Sequence, residues 1–136
     1  MSQENVENVE IVRGHVEAYT HDVPRALSFL DPFVVLDGSR TGLIESQAVF
    51  GHDAVAESVA RYVGAFEDYS YVVERLTDLG SGAVLAAVTE TGRGKGSGVS
   101  VRRSLAMLYT VIDGKIARIT GFASEGQALE AAGLSE

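Results

Sequence analysis

The 136-residue chain has no cysteine, no tryptophan and only two prolines, and its eleven Lys and Arg are outnumbered by nineteen Asp and Glu. Each scarcity excludes something. Without cysteine there is no disulfide framework and no thiolate nucleophile or ligand. A formal net charge of −8 is not the basic footprint that a phosphate backbone demands, so no nucleic-acid partner is expected. No apolar run approaches the ~20 residues that span a bilayer, so no membrane partner is expected. The N-terminal MSQENVENVE is acidic and polar, unlike a secretory leader, and the expected location is cytoplasmic. His15, His21 and His52 are not at metal-ligand spacing and no HExxH occurs, so neither a metal nor a cofactor is expected.

What is present is ordinary folded composition, 46% hydrophobic and 22% charged. The length suits one domain over residues 1–136, with a core that needs no covalent staples. The chain is organised around LAMLYTVIDGKIARITGF, Leu105 to Phe122, which reads as two strands joined at Asp113-Gly114. That dipeptide favours the positive φ of a tight hairpin turn. So apolar a pair must be covered. Val6, Val9, Val12, Val16 and Tyr19 give one face of a first helix over Gln3–Thr20, with His15 bordering the stripe. A short helix follows over Arg25–Leu30, then a strand over Phe33–Leu36 ended by Asp37-Gly38. Gly38–Gln47 reads as a loop and candidate lid, and Ala48–Phe50 as a short strand. A third helix begins at Gly51-His52-Asp53 with the stripe Val55, Val59, Tyr62 and Phe66.

From Tyr69 the period changes to strands: Tyr71–Leu79, Ala83–Thr91, Val99–Ile112 and Lys115–Phe122. GRGKGSG, Gly92 to Gly98, is a hairpin tip; it lacks the spacing of a phosphate loop and no helix follows it. Ser124 and Gln127 form a capping box for a last short helix ended by Gly133. Helices followed by a run of strands mean α+β. The strands are long enough to twist, and helices on the concave side enclose a conical cavity suited to a small molecule.

Four stretches in this order, IVRGHVEAY (Ile11–Tyr19), ALSFLDP (Ala26–Pro32), GHDAV (Gly51–Val55) and LYTVIDGKIARI (Leu108–Ile119), resemble the SnoaL-like domains of the nuclear transport factor 2-like superfamily. The resemblance implies a cone-shaped α+β barrel, with N-terminal helices on the concave face of a curved, mainly antiparallel sheet. It also implies a homodimer through the outer sheet face, where Leu108 and Ile112 would otherwise meet water. Relatives of this shape include ketosteroid isomerases and polyketide cyclases, which place an acidic general base at the end of the first strand. Asp37 matches that place. The helix-one tyrosine of the isomerases falls on His15, and their second acid falls near Met107, which cannot donate a hydrogen bond. Steroid isomerisation is therefore disfavoured.

Asp37 is the expected base, because a carboxylate at the mouth of an apolar pocket is held neutral-leaning by desolvation; as part of a solvated Asp-Gly turn it would be inert. His15 and Tyr19, one helical turn apart, are the expected polarising or relay groups. Tyr62, Phe66, Met107 and Tyr109 are expected ligand-binding wall. Arg103 shares the Met107 face, and two roles fit it: a salt bridge to Glu90 on the neighbouring strand, or an anchor for an anionic ligand. The expected partner is a small hydrophobic molecule. Two functions fit: cofactor-free acid-base isomerisation, cyclisation or dehydration of a small carbonyl compound, or non-catalytic binding in the same cavity.

Overall fold

A computed structural model describes residues 3–19, 21–41 and 48–133. Four helices, α1 (Gln3–Ala18), α2 (Val23–Ser28), α3 (His52–Gly64) and α4 (Glu125–Ala131), accompany six strands. The strands are β1 (Leu30–Arg40), β2 (Ala48–Phe50), β3 (Phe66–Gly80), β4 (Ala83–Gly94), β5 (Ser100–Ile112) and β6 (Lys115–Phe122). They form one sheet in the order β2-β1-β6-β5-β4-β3, antiparallel except where β1 runs parallel to β6. This is the α+β cone: a curved sheet with the N-terminal helices on its concave side. The β5–β6 hairpin lies at the centre of the sheet. Its turn has φ 50° at Asp113 and 78° at Gly114, both positive as a two-residue turn of matching twist requires.

The core sits between concave face and helices. Val12 of α1, Leu30 and Val34 of β1 and Val55 of α3 meet Val84, Ala86 and Val88 of β4 and Ile116 of β6. Burying a side chain such as Leu30 or Ile116 fully contributes about 1.5–3 kcal/mol. A second cluster lies on the other face, where Ala128 of α4 covers Leu85, Ala106 and Phe122, with Leu108 and Leu129 packed alongside. Ser124 caps α4 by accepting from the Gln127 amide at 3.2 Å. Leu108, expected at a dimer face, is thus covered by the chain's own last helix, whereas Ile112 is exposed. No helix among the described residues is long and apolar enough to cross a membrane.

Several boundaries differ from the sequence reading. β1 runs through Asp37-Gly38 to Arg40 because β2 and β6 supply partners as far as Asp37 and Arg40. Residues 42–47 of the expected lid lie outside the described residues. α3 ends at Gly64, so Phe66 opens β3 rather than closing the helical stripe. In α1 the buried positions are Asn8, Val12, His15 and Ala18. The helix is rotated from the valine stripe, leaving Val6 exposed and turning His15 inward.

Candidate active site

Between the concave face and α1, α2 and α3 lies a cavity of about 290 Å³. Most of its wall is aliphatic: Leu27 of α2, Leu36 of β1, Val59 and Val63 of α3, Ile119 of β6. Four polar rings converge on it, those of His15, Tyr19, Tyr71 and Tyr109. Apart from His15, none of its lining residues among those described is ionisable as an acid or base near neutral pH. A larger open hollow of about 580 Å³ beside α4 is surface relief lined by Phe122, Gln127, Glu130 and Ala131.

The geometry fixes the protonation of His15. Its Nδ1 lies 2.9 Å from the Ala26 carbonyl oxygen, which can only accept, so Nδ1 carries the proton. Burial lowers the imidazole below its ordinary 6.5, with the Ala26 bond working the other way. The ring is therefore neutral at pH 7, and Nε2 holds the lone pair. The Tyr109 ring is edge-on to His15 at 6.0 Å and the Tyr19 ring tilted at 6.3 Å. The Tyr71 ring packs on that of Tyr19 at 4.6 Å, tilted by 48°. Burial pushes the Tyr109 phenol up to about 12, with its hydrogen bond to Tyr71 pulling the other way. Burial likewise raises Tyr19 and Tyr71 well above the ordinary phenol range. All three phenols are O–H donors at any physiological pH. The arrangement is a largely apolar pocket holding one neutral base and three neutral donors.

His15 and Tyr19, expected as relay groups, do meet there, with Met107 and Tyr109 in the wall. Asp37 does not join them. In the contiguous register Leu36 opposes Ile119 and Asp37 opposes Thr120. Alternation therefore turns Leu36 and Ile119 to the cavity and Asp37, with Arg118 and Thr120, to the opposite face. There its Oδ2 lies 3.1 Å from Arg118 Nη2, and its Oδ1 accepts from the Ser39 amide at 3.0 Å and the Ser39 hydroxyl at 2.6 Å. In place of the apolar pocket expected around a base at that position, Asp37 has an ion pair on the outer face.

Tyr62, Phe66 and Arg103 lie outside the cavity lining and build a polar cluster around Glu90, which is 3% exposed. Tyr71, Glu90 and Arg103 are in register across β3, β4 and β5, so the cluster adjoins the cavity at Tyr71. Glu90 Oε1 accepts from Tyr62 at 2.5 Å and from Arg103 Nε and Nη2 at 3.0 and 2.8 Å; Oε2 accepts from Tyr69 at 2.7 Å. Arg103 Nη2 also donates to the Tyr62 hydroxyl at 3.2 Å. The Phe66 ring packs edge-on against Tyr62 at 5.4 Å. Of the two roles open to Arg103, the salt bridge to Glu90 is formed.

The SnoaL-like domain pattern matches residues 12–119, which spans α1 through most of β6. The chain belongs to the SnoaL-like domain family. No curated protein matches it. Among solved structures, this SnoaL-like chain is similar to an NTF2-like protein from Burkholderia thailandensis E264, at 21% identity over 95% of this chain and 98% of that one, with a TM-score of 0.78. A protein from Jannaschia sp. CCS1 described as a SnoaL-like polyketide cyclase aligns at 21% identity over 100% of this chain and 97% of that one, TM-score 0.77. A ketosteroid isomerase-like fold from Catenulispora acidiphila DSM 44928, in complex with trimethylamine, aligns at 17% identity over 92% and 93%, TM-score 0.70. At these identities the likeness is one of fold. Tyr71, Tyr69 and Glu90 were not among the site residues the sequence suggested. The alternation of β3 could have drawn attention to Tyr71, had its register with β4 been known.

Proposed function

We propose that the cavity binds a small, uncharged, apolar carbonyl compound and that His15 moves a proton on it. The observation that carries this is the locked His15 ring: Nδ1–H is held by Ala26, leaving the Nε2 lone pair free in a mostly apolar cavity that three phenols also line. Nε2 takes a proton from the carbon next to the carbonyl. The C–H electron pair becomes the enolate double bond, and the carbonyl π pair moves onto oxygen. A Tyr19 or Tyr109 hydroxyl donates to that oxygen, which a largely apolar site makes effective. The imidazolium then returns its proton to carbon, completing an isomerisation, or to a departing hydroxyl, completing a dehydration. In this reading His15 takes the base role that the resemblance assigned to Asp37. The alternative is a non-catalytic binder, favoured by the absence of a carboxylate among the described residues of the cavity wall.

Deuterium uptake by 1-tetralone in D2O, followed by proton NMR, separates the two. The proposed chemistry has the protein accelerate α-proton exchange, and His15→Gln remove roughly 10²–10⁴-fold of it while tetralone still binds. Binding without acceleration establishes the alternative. A homodimer is also proposed, supported by the outward Phe33 and Phe50, which are 85% and 66% exposed.

A further inference from the structure

The cavity wall is buried or half-buried at all but three places. Val23 at the start of α2, and Ala60 and Gly64 in the last turns of α3, are exposed while lining the cavity. A cavity opens to solvent where its lining residues do. α3 is a lightly buried wall: of its thirteen residues only Val55 is buried. Its N-terminal end is anchored, since the Gly51 amide donates to the Val34 carbonyl at 2.8 Å and His52 Nε2 bonds the Leu30 carbonyl at 2.9 Å. Gly51, at φ 87°, is the residue before the helix. Its C-terminal end runs through Ala65, whose carbonyl accepts from the Lys95 amide at 3.0 Å, into β3, and its last turn is held to the Glu90 cluster by the side chain of Tyr62, which donates to Glu90 and accepts from Arg103.

We propose that ligand reaches the cavity between Val23 and the C-terminal end of α3, and that Tyr62, clamped by Glu90 and Arg103, is the positioning residue that sets the width of this mouth. The inference rests on the cavity as the ligand site, not on any chemistry within it. Releasing the clamp loosens the last turn of α3 against the sheet and speeds passage in both directions. Affinity changes little, because no residue of the clamp lines the cavity. The mouth is apolar, in keeping with an uncharged ligand.

The chain has no cysteine, so one introduced thiol is the only reactive one. Val23→Cys, Gly64→Cys and, on the outer side of the sheet, Glu130→Cys are each reacted with N-cyclohexylmaleimide. Binding of 2-acetylnaphthalene is followed by stopped-flow quenching of tyrosine fluorescence. The two mouth adducts slow association about tenfold or more while the Glu130→Cys adduct leaves it unchanged. Tyr62→Phe raises association and dissociation rates together, by about tenfold or more for the loss of the hydrogen bonds to Glu90 and Arg103, with Kd little altered. Association untouched by the mouth adducts overturns the placement of the mouth, and unchanged rates in Tyr62→Phe overturn its clamp. The adducts keep the proposal falsifiable even if Tyr62→Phe fails to fold. No binding of the probe to the unlabelled protein overturns the cavity as a ligand site, and the mouth with it.

Discussion

Replacing Arg103 by methionine removes the cation from the buried Glu90 cluster while keeping most of the aliphatic stem. The wild-type guanidinium makes two bonds to Glu90 Oε1, at 3.0 and 2.8 Å, and one to Tyr62 at 3.2 Å. Deleting one partner of a buried ion pair costs about 3–5 kcal/mol, because the other charge stays behind unpaired. Two features reduce that here. The Arg103 side chain is 24% exposed, so water already screens part of the pair, and Glu90 keeps the Tyr62 and Tyr69 hydroxyls. About 2–3 kcal/mol is the expected loss. For a chain of this length that corresponds to a fall of about 6–15 °C in Tm. Glu90→Gln costs less, about 1–2 kcal/mol, since the guanidinium left behind can turn toward water. The double variant should recover part of the sum, leaving a coupling of about 1–2 kcal/mol. Urea denaturation at fixed m measures all four proteins. Arg103→Met within ~0.5 kcal/mol of wild type, or strict additivity in the cycle, would refute the reasoning.

Gly121→Ala should lose about 1–3 kcal/mol by overpacking and weaken 2-acetylnaphthalene binding in calorimetry, because the new Cβ would lie 2.7 Å from Thr41 Cγ2 and 3.2 Å from Met107 Sδ, pressing Met107 toward the cavity. Stability should fall as pH drops below ~6.5 toward the lower folded value of His15: there the unfolded chain binds the extra proton and the folded chain does not. His15→Gln removes that segment of the pH dependence in urea titrations. Asp37→Asn should leave tetralone exchange and probe binding unchanged while lowering stability modestly, as a half-exposed Arg118 loses its partner; loss of exchange would return Asp37 to the base role. Light scattering on the eluting protein should give twice the 14.4 kDa chain mass, and Phe33→Ser with Phe50→Ser should shift it to monomer.

The parts of the fold written in local chemistry were legible in the sequence. Asp113-Gly114 needs positive φ at both positions, so the central hairpin followed directly. Alternation along a long strand put Arg103 on the Met107 face, but only the register of β4 against β5 chose Glu90 over an anionic ligand as its partner. Asp37 did not follow, because Phe33-Val34-Val35-Leu36 is apolar at every position and its pattern does not say which face is inward. Only the register against β6 decides that. Tyr71 was hidden for a related reason: the register of β3 against β4 shifts between Val73 and Arg75, and without the shift Val72 would stand opposite Glu90. In α1 the valines at 6, 9, 12 and 16 outlined a plausible face. The helix instead buries Asn8, Val12 and His15, because the Ala26 carbonyl satisfies the imidazole inside the core.

The most direct test of the account is the state of the His15 ring, read by nitrogen-15 NMR on uniformly labelled protein with and without 2-acetylnaphthalene. The expected result is a neutral ring at pH 6.5, protonated at Nδ1, whose Nε2 resonance moves when the probe binds. A ring protonated at Nε2, or charged at neutral pH, or indifferent to a probe that binds, would contradict the reading of this cavity as a site built around a neutral histidine base.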